Sequence, residues 1–245
     1  MTQTENTAIV LRYANYKEND RMLTLFSPTR GRVDAVCRGC RRPKSPLLNA
    51  SELFALGDFE LYEKNGRQTV TAAHLIETFY PLRADYDRLT CGIWALNLCE
   101  AVIQPNQNDQ ELFMLLLHTL SRLTFSDQPW PPLLTGFLLR FAGAEGFKPR
   151  LQHCVRCGKR LNPEEPCWFD LEEGGVVGPE CRQLHDHPLE KRQLRWLNQA
   201  LSSPASAWVS TPEAAAPFYL MKAYVEHRLD RKLRSAAVLP LPQEE

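Results

Sequence analysis

The stretch Met22-Leu23-Thr24-Leu25-Phe26-Ser27-Pro28-Thr29-Arg30-Gly31-Arg32-Val33-Asp34-Ala35-Val36 decides the fold class. Met22–Phe26 is a short apolar run, and Arg32–Val36 alternates polar with apolar, the period of a half-buried strand. Between them Pro28 to Gly31 supplies turn formers, so the stretch reads as a β-hairpin. Outward from it, Ala8-Ile9-Val10-Leu11, Phe59-Glu60-Leu61-Tyr62 and Thr69-Val70-Thr71-Ala72-Ala73 have the same character. Lys64-Asn65-Gly66 separates the last two, and Asn-Gly favours a tight hairpin turn. Several short strands between Thr7 and Phe79 fit a small closed barrel, either an OB-fold or an SH3-like barrel.

After Pro81 the period becomes helical. Tyr86, Leu89, Ile93, Leu96 and Val102 form an apolar stripe ending near Pro105, and further helices are expected over Gln110–Leu123 and Leu133–Ala144. Gly146 should stop the third before Pro149. Helix resumes over Leu189–Leu201 and Ala214–Leu229, and the continuous apolar run Met114 to Leu117 reads as core. Between these helices, residues 151–188 are broken by Cys, Gly and Pro. The expected architecture is therefore α+β and multi-part: a small β-barrel over residues 1–80, then a mainly α-helical domain over 81–245 with an irregular, zinc-knuckle-like insert at 151–188.

The chain has 245 residues, 44% of them hydrophobic, enough for a substantial core. No apolar run approaches the roughly 20 residues that cross a bilayer, and Met1 to Glu5 lacks the features of a secretory signal, so a cytoplasmic protein without membrane partners is expected. The 29 Lys and Arg balance the 29 Asp and Glu. The imbalance is local. Residues 30–44 hold Arg30, Arg32, Arg38, Arg41, Arg42 and Lys44 against Asp34 alone, and residues 222–234 hold five basic residues against Glu226 and Asp230. Basic clusters inside a neutral chain point to an oriented anion-binding face.

Eight cysteines without a signal peptide favour metal ligands or incidental thiols over disulfides. Cys154-Val155-Arg156-Cys157-Gly158 has the spacing by which two thiolates meet one tetrahedral zinc, with Gly158 permitting the turn. A zinc ribbon needs a second pair about 15–20 residues later. Only Cys181 stands there, because Gly178 occupies the position three before it. His185, His187, Cys167 and His153 are the candidates for a fourth ligand, with His185 placed first beside Cys154, Cys157 and Cys181. Zinc is thus a candidate cofactor, the competing reading being a decayed knuckle with leftover thiols. Cys37-Arg38-Gly39-Cys40 repeats the spacing at a strand end, without the helix start that thiol redox chemistry uses. Its neighbours Arg38, Arg41, Arg42 and Lys44 form a basic loop suited to a phosphate backbone. GxSxG, GxxxxGK[ST], GxGxxG and HExxH are all missing, so neither an enzyme nor a nucleotide cofactor is expected.

Taken in order, several of these pieces resemble the RecO family of bacterial recombination mediators, over roughly residues 5–236. Tyr16-Lys17-Glu18-Asn19-Asp20-Arg21 leading into Met22–Ser27 and Gly31-Arg32 resembles that family's first hairpin, and Arg38-Gly39 through Arg41-Arg42-Pro43-Lys44-Ser45 its basic loop. Leu138 to Phe141 with Gly146-Phe147-Lys148-Pro149, then Cys154 to Gly158, then Gly174-Gly175-Val176-Val177, is similar to its helix, knuckle and glycine pair. His227 to Ser235 resembles its closing basic helix end. The resemblance implies an OB-fold N-terminal domain, binding and annealing of single- and double-stranded DNA, and partnership with RecR and single-stranded DNA-binding protein so that RecA is loaded, in association with the nucleoid. It also implies zinc in relatives with four cysteines, from which Gly178 departs. On this reading Arg38, Arg41, Arg42 and Lys44 make the first DNA contact, Arg32 flanks them, and Lys232 and Arg234 extend the track. The rival is an OB-fold plus zinc-knuckle module that binds RNA or scaffolds a complex.

Overall fold

The computed structural model describes residues 2–162, 165–203 and 217–232. The expected helix start at Ala214, and Arg234, lie outside the described residues. Five strands, β1 (Thr2–Tyr16), β2 (Asp20–Ser27), β3 (Gly31–Cys37), β4 (Leu56–Lys64) and β5 (Arg67–Glu77), close a barrel in the order β1-β2-β3-β5-β4. β1 is long enough to serve two neighbours, pairing β4 from Thr2 to Ile9 and β2 from Ile9 to Tyr16, with a register shift between Val10 and Arg12. Such a bulge bends a strand around a barrel. Closure comes from a parallel ladder, Ala35↔Gln68, Val36↔Thr69 and Cys37↔Val70. That crossover closure makes the barrel OB-like.

The strands alternate as expected. Ala8, Val10, Leu23, Leu25, Val33, Ala35, Phe59, Leu61 and Val70 point into the barrel and are buried. Asn65 and Gly66 both take positive φ, 53° and 71°, which is the backbone of a tight β4–β5 turn.

By packing, the chain divides at Thr124/Phe125. The first unit joins the barrel to α1 (Tyr86–Val102) and α2 (Gln110–Phe125), the latter reaching the division point. Within this unit the two helices pack with the barrel. The reason is a backbone clasp on the β2–β3 turn. The Arg32 amide donates to Gln104 O at 3.1 Å, the Asn106 amide to Arg30 O at 2.8 Å, and the Asp109 amide to Pro28 O at 2.9 Å. Phe26 meets Phe113 edge to face at 5.3 Å, a contact worth about 1 kcal/mol beyond area burial. Trp94, Cys91 and Leu98 of α1 are fully buried. In α2, Leu115 and Leu116 are buried as expected, whereas Met114, read with them as core, is 55% exposed because it falls on the outer face of the helical turn.

The second unit holds α3 (Trp130–Ala144), α4 (Lys191–Ser202), α5 (Phe218–Arg228) and, between α3 and α4, the insert. Gly146, at φ 83°, ends α3 as expected, with the Phe147 amide returning to Ala142 O at 2.8 Å. The insert is more regular than its composition suggested: β6 (Cys167–Asp170), β7 (Gly175–Val177) and β8 (His187–Leu189) form a small sheet in the order β7-β6-β8. It is anchored on α5 by an aromatic contact, Phe169 to Tyr224 at 5.3 Å, and Tyr224 also meets Phe147, just after α3, at 6.0 Å. Among the described residues no helix is long and apolar enough to cross a membrane.

Gly31 offers a test of the clasp. Its φ is 61°, and a Cβ there would lie 2.1 Å from Gln104 O. Gly31→Ala is expected to destabilise the protein by about 3 kcal/mol, from left-handed strain plus a clash with backbone that must move. Gly66→Ala, equally left-handed at φ 71° but in open space, should cost only about 1–2 kcal/mol by urea denaturation.

Candidate nucleic-acid interface and thiol cluster

The basic loop leaves β3 at Cys37 and is held rigidly from below. Cys37 and Cys40 are buried at its base, where burial pushes the Cys37 thiol well above its ordinary range, so this pair acts as apolar anchors. The Gly39 amide donates to Asp20 Oδ1 at 2.8 Å and the Arg41 amide to Asn19 O at 3.1 Å. Further on, the Ser45 amide donates to Arg42 O at 2.9 Å. Above this scaffold the side chains of Arg38, Arg42 and Lys44 are exposed and have no partner among the described residues. Arg41 is exposed too but donates to Glu18 O at 2.9 Å.

Arg32 is different. It is half-buried, donates to Asp34 at 2.9 Å and 3.3 Å, and lies 3.8 Å from Glu100. The hydrogen bond with Asp34 raises its pKa against the opposing effect of burial. Its charge is thereby largely satisfied within the fold. Lys232, beyond α5, is exposed without a partner among the described residues.

Beside Arg38 the barrel adds residues that the sequence pattern did not single out. The β3–β5 ladder brings Arg38 alongside β5, and the β4–β5 register sets Tyr62 opposite Thr69 and Lys64 opposite Arg67. Arg38, Tyr62, Lys64, Arg67 and Thr71 line one open cavity of about 710 Å³. The signal was present in the alternation: Leu61 and Val70 point inward, so Tyr62, Lys64, Thr69 and Thr71 must point outward. Cations around an aromatic face are what a flexible polyanion with stacking bases requires.

In the insert, the sulfurs of Cys154, Cys157 and Cys181 lie within 4.8 Å of one another, so the three expected thiols do meet. Three sulfurs this close fit three vertices of a tetrahedral metal site. His185 does not join them. It stands 3.3 Å from Arg156 Nη2 and groups instead with Asp170 and Asp186. His153 and His187 are exposed, and Cys167 is buried with its thiol donating to Leu189 O at 3.3 Å. Gly178 is buried, and a Cβ on it would meet Leu161 Cδ2 at 3.1 Å. For Cys154, burial raises the thiol pKa, but the backbone amides of Gly178, Cys157 and Arg156 together outweigh it and bring the group down to about 7. Hydrogen bonding to Cys157 and desolvation instead raise Cys181, to about 11. Opposite directions are natural in one cluster, where the first thiolate formed disfavours the next.

Arg156, inside the knuckle, ties this site together. Its Nη1 donates to Cys181 O at 2.6 Å and to Asp186 Oδ2 at 2.7 Å, and its Nη2 to Asp170 Oδ2 at 2.5 Å and Asp186 Oδ1 at 2.7 Å. The Asp170 and Asp186 side chains are 2% and 0% exposed. Burial pushes the Asp186 carboxyl up, yet hydrogen bonds from Arg156 and the Gln183 amide, with the Arg156 charge, hold it below its ordinary 3.8. Removing one partner of such a pair strands buried charge. Arg156→Met is therefore expected to destabilise the second unit by about 3–5 kcal/mol. Because the folded pKa of Asp186 is depressed, its contribution is fully present above the ordinary value of 3.8 and is lost as pH falls through the lower folded value. Urea midpoints measured against pH should show wild type and Asp186→Asn converging below about pH 4; a constant gap would contradict the assignment.

Comparison with known proteins agrees with these features. The family model described as Recombination protein O N terminal matches residues 1–79, and the one described as Recombination protein O C terminal matches residues 83–237. Among curated relatives, the DNA repair protein RecO of Anaeromyxobacter sp. (strain K) is 31% identical over 247 residues, covering 98% of this chain and 96% of the relative. That of Symbiobacterium thermophilum is 28% identical over 238 residues, covering 94% of each. That of Alkaliphilus metalliredigens (strain QYMF) is 35% identical over 177 residues, covering 72% of this chain and 70% of the relative. An OB-like barrel, a helical C-terminal region and a cysteine knuckle, matched by both family models along nearly the whole chain, place this protein in the RecO family of DNA repair proteins.

Proposed function

We propose that the chain is a non-enzymatic recombination mediator of the RecF pathway, acting in the cytoplasm at the nucleoid. It binds single- and double-stranded DNA, anneals complementary strands and helps to load recombinase onto single-stranded DNA coated with single-stranded DNA-binding protein. RecR and that coating protein are its direct partners, and RecA an indirect one. The observation that carries this reading is the set of exposed, unpartnered cations Arg38, Arg42 and Lys44 on a tethered loop beside Tyr62, Lys64 and Arg67.

A mediator works on any sequence, so it should contact phosphates and leave base edges unread. Cations on a rigid support suit that task, because the loop loses little conformational freedom on binding. Tyr62 offers a face on which a base stacks whatever its identity. Arg41 and Arg32 flank this surface, and Lys232 and Arg234 are further contacts to DNA in this reading. Annealing makes and breaks no covalent bond; the protein neutralises the repulsion between two phosphate backbones and holds the strands close. No nucleotide is required. Cys154, Cys157 and Cys181 would hold zinc, whose contribution when bound is a structural cross-link. His185 serves as the fourth ligand only if its ring leaves Arg156.

The test is annealing of complementary oligonucleotides coated with their single-stranded DNA-binding protein. Acceleration without nucleotide is expected. No acceleration, together with tight RNA binding, would favour an RNA-binding module instead. In parallel, Arg38→Gln with Arg42→Gln should reduce the slope of log affinity against log salt for single strands by about 1.4, roughly 0.7 for each phosphate no longer neutralised. An unchanged slope would remove the loop from the interface.

A further inference from the structure

A third concentration of positive charge lies in the second unit. Residues 146–162 hold five basic residues and no acidic one, and residues 191–203 hold three and none, in a chain whose charges balance overall. Three of these cations are held in short ion pairs: Arg156 in its carboxylate network, Lys159, 2.7 Å from Glu180, and Arg192, 2.6 Å from Glu190. Others gather along one groove. Two cavities, of about 420 and 310 Å³, share Leu151, Gln152 and Asn198 and so adjoin between the 148–161 segment and α4. Lys148 and Arg150 line the first; Arg160, Lys191 and Arg195 line the second. All five are exposed, and neither cavity is lined by an acidic side chain.

We propose that this groove is a second binding track for single-stranded nucleic acid, separate from the barrel surface. The proposal rests on the DNA-binding reading above and goes beyond it by assigning a further site to the second unit. A line of cations without acidic groups among them, over two joined, open cavities, matches a ligand with regularly repeated negative charge. Lys148 and Arg160 have no side-chain partner among the described residues. The ion pair of Arg150 with Glu173 is 3.8 Å long with both side chains more than half exposed, so it competes weakly with a phosphate. Between the cations, Leu151, Leu161 and Leu194 make an apolar floor for unstacked bases, and the Gln152 side-chain amide adds hydrogen-bonding capacity that does not depend on base identity. With one strand on the barrel and another in the groove, a single molecule carries both partners of an annealing reaction.

The experiment uses the full chain, a labelled oligothymidine of about 12 nucleotides, and two double variants: Lys148→Gln with Arg160→Gln in the groove, and Arg38→Gln with Arg42→Gln on the barrel loop. All four side chains are exposed, and circular dichroism checks that the fold persists. The proposal expects wild type to bind two oligonucleotides per chain, and each pair of substitutions to lower by about 1.4 the salt slope of its own site while leaving the slope of the other site unchanged. At an oligonucleotide concentration that just saturates wild type, each double variant is expected to hold one. Lys148→Arg with Arg160→Lys should restore wild-type behaviour. A groove variant with wild-type slope and stoichiometry, while the barrel variant loses its share, would overturn the groove and leave the DNA-binding reading intact. Wild-type binding by every variant would sink both. A groove variant unchanged on DNA but unable to bind a synthetic Asp- and Leu-rich peptide would overturn the proposal in favour of an acidic peptide site.

Discussion

The parallel pairing of β3 with β5, three residue pairs from Ala35↔Gln68 to Cys37↔Val70, is the constraint on which the proposed DNA surface depends. Parallel neighbours cannot be joined by a hairpin, so the chain must leave the barrel after Cys37 and return through β4 before β5 can close it. The excursion that topology demands begins with the basic loop. Its first cation, Arg38, therefore emerges beside β5, and the β4–β5 hairpin brings Tyr62, Lys64 and Arg67 to the same place. Charges distant in sequence meet because the barrel closes.

The molecule divides its cations between two uses. Arg21, Arg32 and Arg156 face carboxylates within the fold: Arg21 donates to Glu52 at 2.8 Å, Arg32 to Asp34, and Arg156 to Asp170 and Asp186. These hold elements in register and have little charge left for a ligand. Arg38, Arg42, Lys44, Lys148 and Arg160 stand exposed, with no acid among the described residues to neutralise them. Net neutrality thus conceals a separation of structural from available charge. That separation gives a protein strong local affinity for a polyanion without a uniformly positive surface.

Much of this was legible in the sequence, for identifiable reasons. Alternation at Arg32–Val36 and the Asn65-Gly66 turn located the hairpins, since period two and left-handed turn residues are local properties. Spacing also brought Cys154, Cys157 and Cys181 together correctly, the third across 24 residues of chain. What stayed hidden depended on tertiary partners. Arg32 looked like one more cation of the basic segment until Asp34 and Glu100 enclosed it. The surroundings of His185, the Arg156 guanidinium and the buried carboxylates of Asp170 and Asp186, come from distant parts of the insert and leave no local pattern. The clasp that holds the α1–α2 connection on the β2–β3 turn consists of backbone bonds, which leave no side-chain pattern to read. The groove along α4 has no local signature because its two basic segments are some 30 residues apart.

The central claim, that the barrel surface around Arg38 and Tyr62 receives a nucleic-acid strand, is tested most directly by photocrosslinking. A single-stranded oligonucleotide containing 5-iodouracil, which couples to aromatic side chains in contact with it, would be irradiated with the full-length chain and the adducts mapped by mass spectrometry. The expected result is an adduct on Tyr62, weakened by Arg38→Gln with Arg42→Gln. Bound oligonucleotide that crosslinks elsewhere and leaves residues 38–71 unmodified would contradict it.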